Sequence, residues 1–220
     1  MGGQRQVRIV AGLPEDLRGA AAGLCWEAFR DDLWRLLGPP ARARRLLERV
    51  IRPDHAFAAI ASDGSLAGIA GFRSPQGGFL MISTRALCEV YGPLGGAWRT
   101  GLFRLATGEV ENRRFLVDAI VIAPHLRCRG IGTALLAALA EQARYAGYRE
   151  LRLEVAHRNT AARRLYERQL FVPLREDRPG LWGRLAGFDA STVMVRRLGE
   201  ASGAGGLPPA PISPQLGRIT

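Results

Sequence analysis

The chain contains no lysine: all 31 basic residues are arginine, and against 20 acidic residues they give a formal net charge of +11. That absence removes any catalytic lysine from consideration. Cysteine is scarce. Cys25, Cys88 and Cys128 are widely spaced, odd in number and part of no C-x-x-C or clustered-histidine pattern, so neither a disulfide framework nor a metal site is expected. No apolar run is long enough to span a bilayer, and residues 1–6 lack the apolar region of a signal peptide, so a cytoplasmic protein with no membrane partner is expected. Gln6 stands where N-myristoylation of Gly2 would want Ser or Thr. Two phosphate-binding signatures are missing as well: G-x-x-x-x-G-K-[ST] and the three-glycine dinucleotide fingerprint. The positive charge does not by itself argue for nucleic acid. The arginines are dispersed, with no dense basic tail and no recognition-helix or zinc-finger pattern, and the all-arginine, Ala- and Gly-rich vocabulary reads as compositional bias.

What is present is a strand, a glycine turn and a helix in succession. Residues 115–122, Phe-Leu-Val-Asp-Ala-Ile-Val-Ile, read as a buried strand, and Thr133-Ala134-Leu135-Leu136-Ala137-Ala138-Leu139-Ala140 is a strong helix former. Between them lies Ala123-Pro124-His125-Leu126-Arg127-Cys128-Arg129-Gly130-Ile131-Gly132. Orphan amides and the positive end of the helix dipole would converge there on an anion, with Gly130 and Gly132 letting it approach the backbone. Alone, such a turn equally serves to pack a helix on a sheet. A second block follows about thirty residues on: Asn159-Thr160-Ala161-Ala162-Arg163-Arg164-Leu165-Tyr166-Glu167-Arg168-Gln169-Leu170-Phe171.

The R-x-x-G-x-G of Arg127, Gly130 and Gly132, followed by N-x-x-A-x-x-L-Y-E ending in Phe171, resembles the GNAT superfamily of acetyl-CoA-dependent N-acyltransferases. The likeness extends over most of residues 7–197, including the paired strands around 66–72. Leu170 departs from the pattern, which has glycine after the tyrosine helix, where a left-handed turn is wanted. The resemblance implies an α/β GNAT fold: a central mixed, twisted sheet of about six to seven strands with helices on both faces. It implies acetyl transfer from acetyl-CoA to a primary amine by direct attack in a ternary complex. The acceptor would be a small molecule or, second, a protein amine.

On the same resemblance, amides of Arg127, Cys128, Arg129, Gly130, Ile131, Gly132 and Thr133 would hold the pyrophosphate. The stretch Ile120, Val121 and Ile122 would hold the pantetheine arm, with Asn159 touching it or simply capping its helix. An amide beside Val121 or Ile122 would polarise the thioester oxygen. Tyr166 would protonate the departing thiolate; otherwise it only packs its ring. Asp118 is the candidate base, balanced against a purely structural role, with Glu154 in reserve; His125 and His157 read as loop residues, and a water chain could serve instead. Cys128 reads as a site open to thiol reagents and shielded by bound coenzyme A. A non-catalytic acyl-CoA-sensing module is the alternative, ahead of a nucleic-acid-binding protein.

One domain is expected over residues 1–198, followed by a Gly-, Pro-, Ala- and Ser-rich tail over 199–220 with too little apolar surface to order. A first strand over 7–10 leads to an amphipathic helix ending near Leu37, broken by Pro39-Pro40, and a helix over 41–51. Strands over 55–61 and 66–72 form a hairpin. Residues 73–114 exceed what a connection needs and read as a helical insertion, with helices over 79–90 and 97–110. Tyr91, Trp98, Phe103 and Glu109 in it would line an acceptor pocket or glue the insertion to the core. Strands over 150–155, 172–174 and 191–196 complete the sheet, with Trp182 in the last loop. A homodimer is compatible with all of this.

Overall fold

Period-two alternation organises residues 56–61. In the computed structural model, which describes residues 7–107, 115–178 and 190–199, Phe57, Ala59 and Ala61 of this strand pack into one core while Ala56 and Ala58 pack into another. The sheet thus separates two apolar layers. Its strands are β1 (Val7–Ala11), β2 (Ala56–Ala61), β3 (Leu66–Ser74), β4 (Gly77–Gly78), β5 (Leu116–Ile122), β6 (Glu150–Ala156), β7 (Val172–Asp177) and β8 (Ser191–Arg197). Their order is β1-β2-β3-β5-β6-β8-β7, with the short β4 paired to β3. All pairings are antiparallel except β5 with β6, which is parallel. Helices α1 (Arg18–Leu37), α2 (Pro40–Val50) and α3 (Thr84–Thr107) serve the layer around Trp26, Leu46 and Phe79. Helices α4 (Ile131–Tyr145) and α5 (Thr160–Arg168) serve the layer around Leu135, Leu139 and Tyr166.

The insertion differs from its sequence reading. No helix begins at Phe79. That residue is fully buried, its ring lies where a Cβ on Gly71 would stand, and its N–H donates to Phe72 O at 3.0 Å, so the chain stays extended until α3 starts at Thr84. The apolar residues taken for a helical stripe belong to a segment that continues the β3–β4 hairpin. Residues 84–107 form one helical run interrupted at Gly92, whose φ of 78° and ψ of 166° break the helix before Pro93. Two contacts fasten it to the α1–α2 corner: the buried Tyr91 hydroxyl donates to Leu37 O, and Arg99 Nε donates to Leu36 O at 2.7 Å. Both satisfy carbonyls that the end of α1 leaves open. Glu109, Trp182 and the tail over 200–220 lie outside the described residues.

Candidate active site

The turn after β5 is built from two left-handed residues. Pro124–Leu126 makes one 3-10 turn anchored by buried Leu126; Arg127 is then extended, and Cys128 and Gly130 take φ of 60° and 80°. Gly130 is the residue from which α4 springs, and Ala134 N closes the first helical bond on its carbonyl at 3.0 Å. The amides of Ile131, Gly132 and Thr133 therefore have no intrahelical acceptor and open at the positive end of a 15-residue helix. Gly132 meets a different need. A Cβ there would lie 2.9 Å from Leu165 Cδ2 and 3.1 Å from Ile122 Cδ1. Its missing side chain makes room for α5 and β5, not for a ligand as the sequence reading has it, whereas nothing lies within 4 Å of a Cβ on Gly130, where the positive φ is what demands glycine.

Strands β5 and β6 are joined at only two rungs, Leu116 with Arg152 and Val117 with Leu153. The next residue, Asp118, is the extra residue of a bulge, since Ala119 faces Gly71 while Val117 faces Phe72. A bulge bends its strand and re-aims a side chain, and beyond it the two strands part. The Ala123 N–H bond to Ala67 O at 2.9 Å fixes the phase of the β3 ladder. Peptide groups of Ala119 and Val121 accordingly face β3, and those of Ile120 and Ile122 face the gap. Ile122 O there accepts from Arg127 Nε at 3.3 Å.

The gap holds a cavity of about 340 Å³, walled by Asp118 and Ile120 of β5, Glu154 of β6, Phe29 and Asp31 of α1, and Tyr166 of α5. Tyr166 is only 8% exposed, and its hydroxyl has no hydrogen-bond partner among the described residues. Burial pushes its pKa up to about 12. Its position is set by the turn that ends α5: Leu170 N donates to Glu167 O and Phe171 N to Tyr166 O, both at 3.0 Å, and the rings of Tyr166 and Phe171 sit 5.9 Å apart. This is a Schellman turn. Leu170 adopts the left-handed φ of 63° that such a turn needs, although it is not glycine.

The cavity's carboxylates are held differently. Asp118 Oδ1 lies 3.1 Å from Arg73 Nε, and Oδ2 accepts from Phe79 N at 3.2 Å. Burial raises the Asp118 pKa, and Arg73 and the Phe79 and Leu80 amides oppose that rise. Glu154 is exposed to the cavity and accepts a short hydrogen bond from Ser191 Oγ on β8. Asp31 of α1 also lines the cavity.

A parted parallel pair at the centre of a mixed sheet, with an anion-ready turn at the end of one strand, is the setting for comparison with known proteins. The model of the acetyltransferase (GNAT) family matches residues 25–171. The chain belongs to the GNAT acetyltransferase family. Among curated proteins none matches. An N-acetyltransferase of Staphylococcus aureus Mu50 has a similar fold, at TM-score 0.61 and 18% identity over 86% of this chain and 100% of that one. Ard1 of Thermoplasma volcanium is similar at TM-score 0.55 and 14% identity, over 87% and 97% of the two chains. A further acetyltransferase structure gives 0.58 and 20%, over 87% and 99%.

Within this GNAT domain the sequence-predicted residues fall into two groups. Asp118, Ile120, Asn159 and Tyr166 meet at the cavity. Arg127, Cys128, Arg129, Gly130 and Thr133 are exposed on the turn and first helical residues beyond Ile122, where Ile131 and Gly132 are buried. Asn159 caps α5, its Oδ1 accepting from Ala162 N at 3.1 Å, and also lines the cavity, so its two readings coexist. Val121 turns its peptide groups away from the gap. Tyr91, Trp98 and Phe103 do not line the cavity; Tyr91 is buried as glue, and Phe103 packs against the α1–α3 layer. A wall of the cavity instead comes from α1, through Ala28, Phe29 and Asp31, which sequence reasoning missed. No local pattern marks them, because only the fold brings residues near 30 beside residues near 118 and 154. Among the described residues no group of three or more metal-capable side chains occurs, and no helix is long and apolar enough to cross a membrane.

Proposed function

We propose that this GNAT acetyltransferase transfers an acetyl group from acetyl-CoA to a primary amine by direct attack, most simply on a small molecule, with a protein amine second. The parting of β5 from β6 after Val117 and Leu153 carries the reading, because it opens a gap that peptide groups of β5 face and that the carboxylates of Asp31, Asp118 and Glu154 line. The amides of residues 127–133, with Arg127 and Arg129, bind the pyrophosphate. Peptide groups of Ile120 and Ile122 pair with the pantetheine arm, Asn159 shapes its channel, Val121 holds β5 against β3, and one strand amide polarises the thioester oxygen.

Glu154 takes a proton from the attacking amine as the N–C bond forms. The C–S bond then breaks, and the leaving thiolate receives its proton from Tyr166. Glu154 is preferred to Asp118 because Arg73 and the Phe79 amide occupy both oxygens of the latter. Asp118 serves to fix the bulge that parts the strands. Tyr166 is protonated at neutral pH, the form a donor needs, while the burial that keeps it so weakens it as an acid.

The test is calorimetric titration with acetyl-CoA and CoA, followed by thiol release over a panel of polyamines, aminoglycosides and peptides with free N-termini or lysines. Saturable binding with acceptor-dependent release supports the transferase and gives its substrate class. Binding without release from any amine supports a sensing module, and no binding overturns the assignment of the turn.

A further inference from the structure

Glu154 is the cavity carboxylate with an open coordination side, yet as an exposed side chain it would ordinarily sample several rotamers. One contact removes that freedom. In the β6–β8 ladder Glu154 faces Val193, so Ser191, two residues earlier, lies diagonally across on the same face. Ser191 is only 8% exposed, and its hydroxyl donates to Glu154 Oε1. Strand β8 begins at Ser191, and His157 N to Ala190 O at 2.9 Å ties that point to the chain leaving β6.

We propose that Ser191 is a positioning residue, donating to Oε1 so that Glu154 is held over the cavity with Oε2 turned to the acceptor amine. This rests on the reading of Glu154 as the base. One oxygen is fixed by the hydroxyl, and the other is left to take the amine proton.

The experiment needs no known acceptor. The carboxyl carbon of Glu154 is labelled with carbon-13 in the full chain, assigned by its loss in Glu154→Gln, and its signal at neutral pH is compared in the wild type, Ser191→Ala and Ser191→Thr. The expected result is a Glu154 signal that moves and broadens in Ser191→Ala, as a carboxylate released among rotamers would, and that is returned by Ser191→Thr. An unchanged signal in a folded Ser191→Ala protein overturns the positioning role. The underlying reading is judged separately: loss of thiol release in Glu154→Gln supports the base, and full release overturns it whatever the carbon-13 signal shows.

Discussion

Tyr166 owes its properties to what surrounds it. Because burial holds its phenol protonated to about pH 12, Tyr166→Phe should lower kcat by about 100-fold while leaving the Kd for CoA nearly unchanged by calorimetry. The turn that places this ring carries a cost at Leu170, which is 74% exposed and left-handed. A left-handed non-glycine residue costs roughly 1–2 kcal/mol, partly offset in glycine by backbone entropy. Leu170→Gly should therefore stabilise the fold by about 0.5–1 kcal/mol, read as a higher urea midpoint. At high pH the sign reverses for several groups. Cys25, Tyr91 and Tyr166 all have pKa values raised to about 12 by burial. The unfolded chain loses these protons first, so stability is fully present below pH 9 and falls as pH rises toward 12. For Cys25 alone the loss near pH 10.5 is on the order of 2 kcal/mol. Cys25→Ala should flatten that slope in unfolding curves taken at successive pH values, even where the cavity it leaves lowers stability at pH 7.

At the scale of elements, the two signature segments act on each other. The first turn of α4 sits against Leu165 of α5 through the bare Cα of Gly132. Gly132→Ala should push Leu165 or lift the helix start, weakening acetyl-CoA binding about tenfold, and Leu165→Ala in the same chain should recover most of it. A double-mutant cycle of Kd values checks this. What the sequence made legible follows the same division. The turn and the α5 cap at Asn159 are local, each written within about six residues of its own backbone. The bulge at Asp118 and the α1 wall depend on partners about 40 or more residues away, and the extended run from Phe79 depends on Gly71 and Phe72 across a hairpin and on residues 50–52. Apolar spacing in residues 79–90 cannot distinguish a helix from a segment buried beneath Gly71, and only the sheet decides it. Leu170 hid its conformation for the opposite reason, since its backbone obeys the turn while its side chain violates the preference.

For the whole molecule, the sheet separates the two apolar layers, with Leu24 of α1 packed against both, and the sheet is most sparsely paired at its centre. β1, β2, β3 and β5 form one antiparallel block, and β6, β8 and β7 form another. Two rungs and the helix connecting β5 to β6 hold the blocks together. Each half can thus keep its own pairing while the seam between them stays open to water.

A pantetheine arm lying along Ile120 and Ile122 would take hydrogen bonds that a neighbouring strand would otherwise supply. On the proposed function the coenzyme would stand in for a strand, completing the centre of the sheet while it is bound. The energy of completing the sheet would then go into holding the donor, a use for a central pair of strands left unfinished.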